Sequence, residues 1–210
     1  MPRTDLFVPY SEKEEAKILG AAWDPEKRCW YTEARDLEPF ARWRSPQAPT
    51  PDPVAPAMLP EPEIPCVRAP RFALITASTR CWKCHASIAV SAVVLDQFEE
   101  MDPEYGDWSA GTDRTMLQGI ASLNRPAHEA ISAAAPWLKP GFSRTVDAVY
   151  LANHCTHCAA LQGEWFLTEP GAVFFPSDGP MPDYEITVFD VPLQAEAGRS
   201  VSSWLDALRI

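Results

Sequence analysis

Two cysteine pairs of the form Cys-x-x-Cys constrain the fold of this chain more than any other feature. Cys81 and Cys84 lie in "TRCWKCHAS", and Cys155 and Cys158 lie in "ANHCTHCAAL". A Cys-x-x-Cys segment holds two thiols on one tight turn, and two such turns complete a tetrahedral site of four thiolates, a common structural site for zinc. We therefore predict one structural zinc ion bound by these four cysteines, which requires the two segments to meet in space.

The distance between the two pairs along the chain is unusual. They are separated by 70 residues, whereas roughly 15–20 residues is the common spacing. Closing a loop of this length costs about 4 kcal/mol, and structural zinc contributes roughly 10–16 kcal/mol in small domains. The metal therefore outweighs the loop, and the residues between the pairs are expected to form a subdomain between the two turns.

Three alternatives remain for the two pairs, the first being that their spacing is chance. A thioredoxin-like redox dithiol at Cys81 and Cys84 would need a helix that begins at the first cysteine, since a helix N-terminus lowers the thiol pKa. The residues that follow, "HASIAVSAVVLD", are instead typical of a strand, and a redox role would leave the second pair unexplained. His154 or His157 could replace one thiolate as a ligand, or could form hydrogen bonds around the site.

Residues 1–44 predict a small strand–helix–hairpin module. The apolar segment "DLFVPY" is a strand candidate, and Ser11 is placed to cap the helix that follows. Gly20 marks the end of this helix. Trp23 and Trp30 flank an Asp-Pro turn, which is typical of a β-hairpin.

Residues 45–70 predict a semi-rigid linker. They contain 9 of the 22 prolines of the chain. Proline fixes φ and removes a backbone donor, so that neither helix nor sheet can propagate through a proline-rich stretch. The chain is thus predicted to consist of a module over 1–44, a linker over 45–70 and a second domain over 71–210.

The second domain is predicted to be α+β, with an antiparallel sheet and an inserted helix, so that it would be zinc-ribbon-like. A helix is expected over 125–138, since proline is tolerated in a first turn, and an amphipathic helix over 200–210. Residues 96–107 are expected to form an acidic loop. Strands are expected at six places, over 71–78, 87–96, 144–153, 163–169, 172–176 and 184–190.

Charge limits the classes of partner. The net charge is −11, and it divides into about −1 for residues 1–45 and −10 for residues 81–210. The second domain should therefore repel nucleic acid and anionic membranes over most of its surface. No apolar run approaches the ~20 residues that span a bilayer, and the N-terminus lacks the apolar region of a signal peptide. The expected compartment is the cytoplasm.

The segment "LFVPYSEKEEAKILGAAWDPEKRCWY", within residues 5–32, resembles a known module. It is similar to a small domain of unknown function, with the pattern VPY-x-EK-x-x-AK-x-LGA-x-WD followed by WY, that occurs beside plasmid-type DNA primases and other proteins of mobile elements. Arg28 stands where lysine is usual. The second domain, with its "CWKC" and "ANHCTHCAALQGEWF" segments, looks like uncharacterised zinc-ribbon-like proteins. The resemblance implies a bacterial mobile-element context and no particular activity.

The function expected from these patterns is that of a zinc-stabilised, non-enzymatic interaction or adaptor protein whose partner is another protein. No phosphate-binding glycine loop, HExxH or GxSxG motif is present, so no catalytic residue is predicted. An enzyme active in the acidic domain is therefore the last of three interpretations, after this one and the nucleic-acid-binding protein described next.

The main alternative is an accessory protein that binds nucleic acid through residues 1–44. The candidate contacts are basic and aromatic residues: Lys13, Lys17, Lys27, Arg28, Arg42 and Arg44 for phosphates, with Trp23, Trp30 and Tyr31 for stacking. The competing interpretation of these lysines is a solvated helix face, because glutamates alternate with them.

Overall fold

The structure, a computed structural model, describes residues 3–9, 12–27, 29–44, 54–176 and 182–210. The chain divides into two compact units. The first consists of Met1–Val54 with Arg144–Ala148, and the second of Ala55–Ser143 with Val149–Ile210. Antiparallel sheets dominate the described residues and helices are few, so the predicted α+β class is confirmed.

The first unit contains the predicted strand, helix and hairpin. Its elements are β1 (Thr4–Leu6), α1 (Lys13–Ile18), β2 (Ala22–Asp24) and β3 (Cys29–Thr32), followed by a 3-10 helix over Glu38–Trp43. The strands form an antiparallel sheet in the order β1-β3-β2. Gly20 has a φ of +94°, the left-handed conformation that ends a helix and that glycine adopts without strain. Ser11, the predicted cap, lies outside the described residues.

The 3-10 helix completes the core of the first unit. Phe40 and Trp43 are fully buried and pack with Leu6, Ala16 and Trp30. The Trp43 indole donates a hydrogen bond of 2.6 Å to a carboxylate oxygen of Glu12, which satisfies its polar atom. Residues beyond the hairpin are therefore required to bury the sheet and the short helix.

The second unit is built on a large antiparallel sheet. Among the described residues this sheet has eight strands in the order β13-β5-β6-β9-β14-β4-β7-β8. The strands are β4 (Val67–Ala69), β5 (Phe72–Arg80), β6 (Ser87–Leu95), β7 (Glu99–Met101), β8 (Trp108–Ala110), β9 (Thr115–Leu123), β13 (Glu185–Phe189) and β14 (Leu193–Val201). The long hairpin of β5 and β6 pairs from Ala73 with Val94 to Arg80 with Ser87, so it projects a turn with a fixed register.

A second sheet faces this hairpin through a polar contact. It contains β10 (Leu138–Ser143), β11 (Ala148–His154) and β12 (Leu161–Gln162) in that order. The buried amide of Asn153 accepts a hydrogen bond of 2.8 Å from the Ser91 backbone N–H and donates one of 2.9 Å to the Ser91 carbonyl. Asn153 therefore fixes β11 against β6 two residues before Cys155.

The remaining helices lie in the same unit. They are α2 (Arg125–Ala134), α3 (Trp165–Thr168) and a 3-10 helix over Ser203–Ala207. Helix α2 confirms the predicted inserted helix, although it ends before residue 138. Within the part of the chain that the structure describes, no helix combines the length and the apolar character needed to cross a bilayer.

The predicted linker over 45–70 is wrong in its second half. Leu59 is only 4% exposed and belongs to the apolar core, and β4 pairs with β14 and β7. The Pro60 carbonyl accepts a hydrogen bond of 3.0 Å from the Leu123 backbone N–H. Proline prevents a regular element at its own position, but the apolar residues between the prolines still pack. Residues 45–53 lie outside the described residues.

Four local predictions in the second unit are also corrected. Residues 163–169 were predicted as a strand and contain helix α3, and residues 172–176 form turns rather than a strand. The acidic loop over 96–107 contains β7. Strand β14 extends into the predicted C-terminal helix, and only Ser203–Ala207 are helical, as a 3-10 turn. Strands β7 and β14 formed because they pair with β4 and β9, which are distant in sequence. The apolar content of residues 163–176 did not distinguish a helix or a turn from a strand.

Candidate metal centre

The first cysteine pair lies in the turn between β5 and β6. The Cys81 backbone N–H donates a hydrogen bond of 2.9 Å to the Ala86 carbonyl, and the His85 N–H donates one of 3.0 Å to the Cys81 carbonyl. His85, the residue after the second cysteine, has a φ of +61°. The turn therefore reverses the chain within six residues and keeps Cys81 and Cys84 on one side.

The second pair forms the same turn between β11 and β12. The Cys155 N–H donates a hydrogen bond of 2.9 Å to the Ala160 carbonyl, and the Ala159 N–H donates one of 2.9 Å to the Cys155 carbonyl. Ala159, again the residue after the second cysteine, has a φ of +57°. A left-handed conformation is uncommon outside glycine, so its occurrence at equivalent places in both turns indicates a shared local geometry. We call these two turns the knuckles, residues 81–86 and 155–160.

The two knuckles bring all four sulfurs together. The Sγ atoms of Cys81 and Cys158 are 3.7 Å apart, those of Cys84 and Cys155 are 3.6 Å apart, and all four lie within 4.8 Å of one another. A tetrahedral zinc site with Zn–S bonds of about 2.3 Å has sulfurs about 3.8 Å apart, whereas a disulfide needs about 2.05 Å. The donor set thus fits a tetrahedral metal ion, and four cysteines close together could hold one.

Backbone donors surround the sulfurs. The backbone N–H of Lys83 donates to the sulfur of Cys81 at 3.4 Å. The backbone N–H groups of His157 and Cys158 donate to the sulfur of Cys155, also at 3.4 Å. Such bonds stabilise a thiolate, and they use the amides that the turns leave unpaired.

The pKa values of two of the thiols are shifted in opposite directions. Burial raises the pKa of the Cys81 thiol, but hydrogen bonds from the backbone of Cys84 and Lys83 outweigh it and lower the pKa to about 6. At Cys84 the backbone N–H of Ala86 lowers the pKa, while burial and the neighbouring thiols together raise it to about 12. One thiolate therefore forms easily and the next is opposed, a repulsion that a divalent cation would remove.

Gln162 on β12 joins the two knuckles, and the sequence analysis did not identify it. Its side-chain N–H groups donate to the Ala160 carbonyl at 2.7 Å and to the Cys81 sulfur at 3.5 Å, and its oxygen accepts the Trp82 backbone N–H at 3.4 Å. The side chain is only 4% exposed. The available signal was a polar residue four positions after Cys158 on an apolar strand.

The two candidate histidines do not join the sulfur cluster. The His154 ring nitrogen Nδ1 lies 2.9 Å from the Ala152 carbonyl, and the ring packs on Gly141, where a Cβ atom would come within 2.7 Å of it. Burial lowers the pKa of His154, which favours the neutral ring. His157 contributes its backbone N–H to the Cys155 sulfur. The expectation that either imidazole replaces a thiolate therefore has no geometric support.

The redox alternative also lacks its structural requirement. Cys81 follows strand β5 and precedes strand β6, so no helix begins at the first cysteine. The strand before Cys81 and the Cys-x-x-Cys spacing are shared with a thioredoxin-like motif, but the helix that would lower the thiol pKa is replaced by strand β6.

The predicted nucleic-acid contacts lie in the first unit with mixed exposure. Trp30 is 9% exposed and belongs to the core, so its role as a stacking residue is not supported. Trp23 is half-exposed and meets the edge of Trp30 at 5.7 Å between ring centroids. Tyr31 is covered on one face by the Arg3 guanidinium, 4.1 Å from the ring centroid.

The basic candidates are partly engaged by carboxylates. Lys17 pairs with Glu14 at 2.8 Å, and Arg42 pairs with Glu15 at 2.5 Å. This supports the interpretation of the helix as a solvated, charge-balanced face. Lys27 and Arg44 are exposed, Lys13 is half-buried, and Arg28 lies outside the described residues.

Comparison with known proteins agrees with the resemblance of the first unit. Residues 3–45 match the sequence model of a domain of unknown function, DUF5710. Two curated relatives, both the DNA primase TraC of Escherichia coli, are 52% and 50% identical over 42 residues, which is 20% of this chain. The chain spans only 4% and 3% of the length of these relatives. No solved structure matches the chain. The family match ends at residue 45 and does not include the four cysteines.

Proposed function

We propose that this chain is a non-enzymatic interaction protein whose second unit is stabilised by one structural zinc ion bound by Cys81, Cys84, Cys155 and Cys158. The observation that carries the proposal is the convergence of four sulfurs from two turns 70 residues apart, at spacings suited to a tetrahedral ion. Zinc supplies four strong bonds to thiolates and no redox chemistry.

The donor set supports a structural rather than a catalytic metal. Four thiolates fill a tetrahedral coordination sphere, whereas catalytic zinc sites keep one position open for water or substrate. The sulfurs of Cys81 and Cys155 are buried against an apolar cluster that includes Ile75, Val90 and Leu167. This packing would shield the ion from water and tie it to the core of the unit.

Glu164, a half-buried carboxyl two residues after Gln162, has a shifted pKa of the kind that catalytic carboxyls often show. Burial raises the pKa of Glu164 to about 7, and its carboxylate oxygens accept the Gly119 backbone N–H at 2.9 and 3.1 Å. The cavity that it lines has a volume of about 30 Å³, enough for roughly two water molecules. That space suits bound water better than a substrate, which favours the non-enzymatic proposal.

Elemental analysis of the purified full chain tests the metal. We expect one zinc per chain in the wild type and in the control Cys29→Ser, whose cysteine lies in the first unit, and a loss of zinc in Cys84→Ser. The loss should lower the thermal midpoint of the second unit, because binding of structural zinc contributes to the free energy of folding. A metal-free wild type of undiminished stability would refute the proposal.

The partner is proposed to be another protein, met in the reducing cytoplasm. The first unit leaves large apolar side chains in water: Phe7, Ile18 and Leu19 are exposed, Ile18 to 84%. Exposed apolar groups of this size commonly mark interaction surfaces. Cross-linking in the native host should capture a defined partner with the wild type, and the substitution Ile18→Asp should abolish that product without loss of folding.

Nucleic-acid binding by the first unit is the second candidate function. It is supported by the 52% identity of 42 residues to a DNA primase. Lys27 and the half-exposed Trp23 are the contacts we assign to it. In a titration of the full chain against single-stranded and duplex DNA at low salt, Lys27→Glu should weaken binding, and the affinity should fall as salt is added. If Lys27→Glu bound DNA as tightly as the wild type, the assignment of Lys27 as a contact would be wrong.

A further inference from the structure

The first knuckle presents a cationic and aromatic surface in an otherwise acidic unit. Arg80, Trp82 and Lys83 are all exposed, Trp82 to 63%. We call these three residues the knuckle surface. They belong to the unit whose net charge of about −10 was expected to repel nucleic acid over most of its surface.

The acidic residues are segregated from this surface along the chain. No Asp or Glu occurs between residues 64 and 95, or between 148 and 163, the two stretches that contain the knuckles. Four other arginines of the unit are paired with carboxylates: Arg68 with Glu99, Arg71 with Asp96, Arg125 with Glu129 and Arg199 with Glu100. Arg114 is instead held by the backbone carbonyls of Leu205 and Asp206.

The two cations of the knuckle surface differ from those arginines. Arg80 donates a hydrogen bond of 3.4 Å to the His85 carbonyl, and among the residues that the structure describes neither Arg80 nor Lys83 forms an ion pair. Their charges are therefore available to an external anion.

The Trp82 ring is held in place although it is exposed. Its indole N–H donates a hydrogen bond of 2.8 Å to the Leu161 carbonyl, and its backbone N–H donates one to Gln162; both acceptors lie on β12, just after the second knuckle. A Trp that only covered the metal would bury its ring, whereas this one leaves most of its surface in water. A fixed ring loses little conformational entropy when a flat partner stacks on it.

We infer that the knuckle surface binds single-stranded nucleic acid, with one base stacked on Trp82 and the adjacent phosphates bound by Arg80 and Lys83. Bases supply flat faces and phosphates supply charge, and aromatic side chains beside cations are the combination that binds single strands. An acidic peptide would use the cations but not the ring. This surface is separate from Lys27 and Trp23, and it depends on the proposed metal only because the metal would hold the knuckles together.

The electrostatic part of this binding should be small. Four thiolates around a divalent ion carry a formal charge of about −2, which offsets the two cations. With two phosphate contacts, the logarithm of the affinity should fall with the logarithm of salt concentration with a slope of about −1.4. Stacking should therefore dominate, and exposed rings elsewhere should not substitute for Trp82.

The test is a fluorescence-anisotropy titration of the zinc-loaded full chain with labelled single-stranded DNA and RNA oligonucleotides at low salt. Trp82→Ala should weaken binding roughly 5- to 150-fold, the effect of losing one base stack. Trp82→Phe keeps an aromatic face but loses the indole N–H, so it should retain most of the affinity. Lys83→Glu should weaken binding more than Arg209→Glu, which makes the same change in net charge at an exposed C-terminal residue.

Tyr105→Ala provides the control for an exposed ring. Tyr105 is 72% exposed, but it lies in a loop with Asp102, Glu104 and Asp107, and its loss should not change the affinity. Zinc content is measured for every variant, so a variant that lost the metal is recognised as a failure of the site rather than of the surface. The inference is overturned if the wild type does not bind, if Trp82→Phe binds as poorly as Trp82→Ala while retaining zinc, or if Tyr105→Ala has an equal effect. Loss of binding in Lys27→Glu alone would assign the activity to the first unit instead.

Discussion

Gln162 should control how tightly the proposed zinc ion is held, although it is not one of the four candidate ligands. Its buried side chain forms three hydrogen bonds, to the Ala160 carbonyl, the Cys81 sulfur and the Trp82 backbone N–H. Gln162→Met keeps the approximate volume and removes all three. The bond of 2.7 Å to Ala160 is worth about 1 kcal/mol, and the two longer bonds together add about 1 kcal/mol more.

A loss of about 2 kcal/mol corresponds to a roughly 30-fold weaker metal affinity. This agrees with the 10- to 100-fold range that changes around metal ligands commonly produce. Gln162→Glu should be worse than Gln162→Met, because it places a carboxylate beside thiolates and still removes the donor to Cys81. The expected order of affinity is therefore wild type, then Gln162→Met, then Gln162→Glu.

Competition with a chromophoric zinc chelator at neutral pH measures this order. Gln194→Met is the matched control, since Gln194 is an exposed glutamine on strand β14 and should leave the affinity unchanged. If Gln162→Glu held zinc as tightly as the wild type, the hydrogen bonds to the knuckles would have no influence on the metal, and the reasoning would be wrong.

Two further predictions concern pH and proteolysis. Burial raises the pKa of Glu164 from 4.5 in the unfolded chain to about 7 in the folded protein. Between pH 4.5 and pH 7 the folded protein therefore binds one proton that the unfolded chain has released. The free energy of unfolding falls as pH rises through this range. Glu164→Gln should therefore raise the free energy of unfolding at pH 8 by up to about 3 kcal/mol and change it little at pH 4, as measured by urea unfolding; an equal effect at both pH values would contradict this. Trypsin should cleave the Arg44–Ser45 bond before the Arg68–Ala69 bond, because Arg68 lies in β4 and pairs with Glu99 at 2.6 Å. Mass spectrometry of the early fragments measures the order of cleavage, and cleavage at Arg68 first would contradict this prediction.

The sequence was sufficient to identify the four cysteines because their chemistry is local. Each Cys-x-x-Cys pair forms its own turn, and only the meeting of the two turns depends on the rest of the chain. Gln162 could not be found in the same way. Its role arises from β12 pairing with β11, which places it opposite Asn153 and beside Cys81, 81 residues earlier.

The errors in the fold share a physical cause. The segment "EWFLTE" has the apolar and aromatic content of a strand, but Trp165 and Phe166 are exposed on helix α3. Residues 45–70 have the prolines of a linker, but Leu59 and Val67 are buried in the core. Composition describes what a segment can do by itself, whereas in both segments an apolar side chain packs into a core built by distant residues: Leu167 of α3 in one case and Leu59 in the other.

The same contacts explain how a gap of 70 residues between the cysteine pairs is accommodated. The Ser91 backbone N–H on β6 donates a hydrogen bond to the side chain of Asn153 on β11. Asn153 lies directly opposite Gln162 in the pairing of β11 with β12. The Gln162 side chain in turn donates to the sulfur of Cys81. This series of buried polar groups connects the hairpin that carries the first knuckle to the sheet that carries the second. The loop is therefore closed largely by strand docking, and the free energy of metal binding need not be spent on bringing the knuckles together. It follows that the spacing between the pairs can be long without weakening the site, provided that the polar groups between the sheets remain paired.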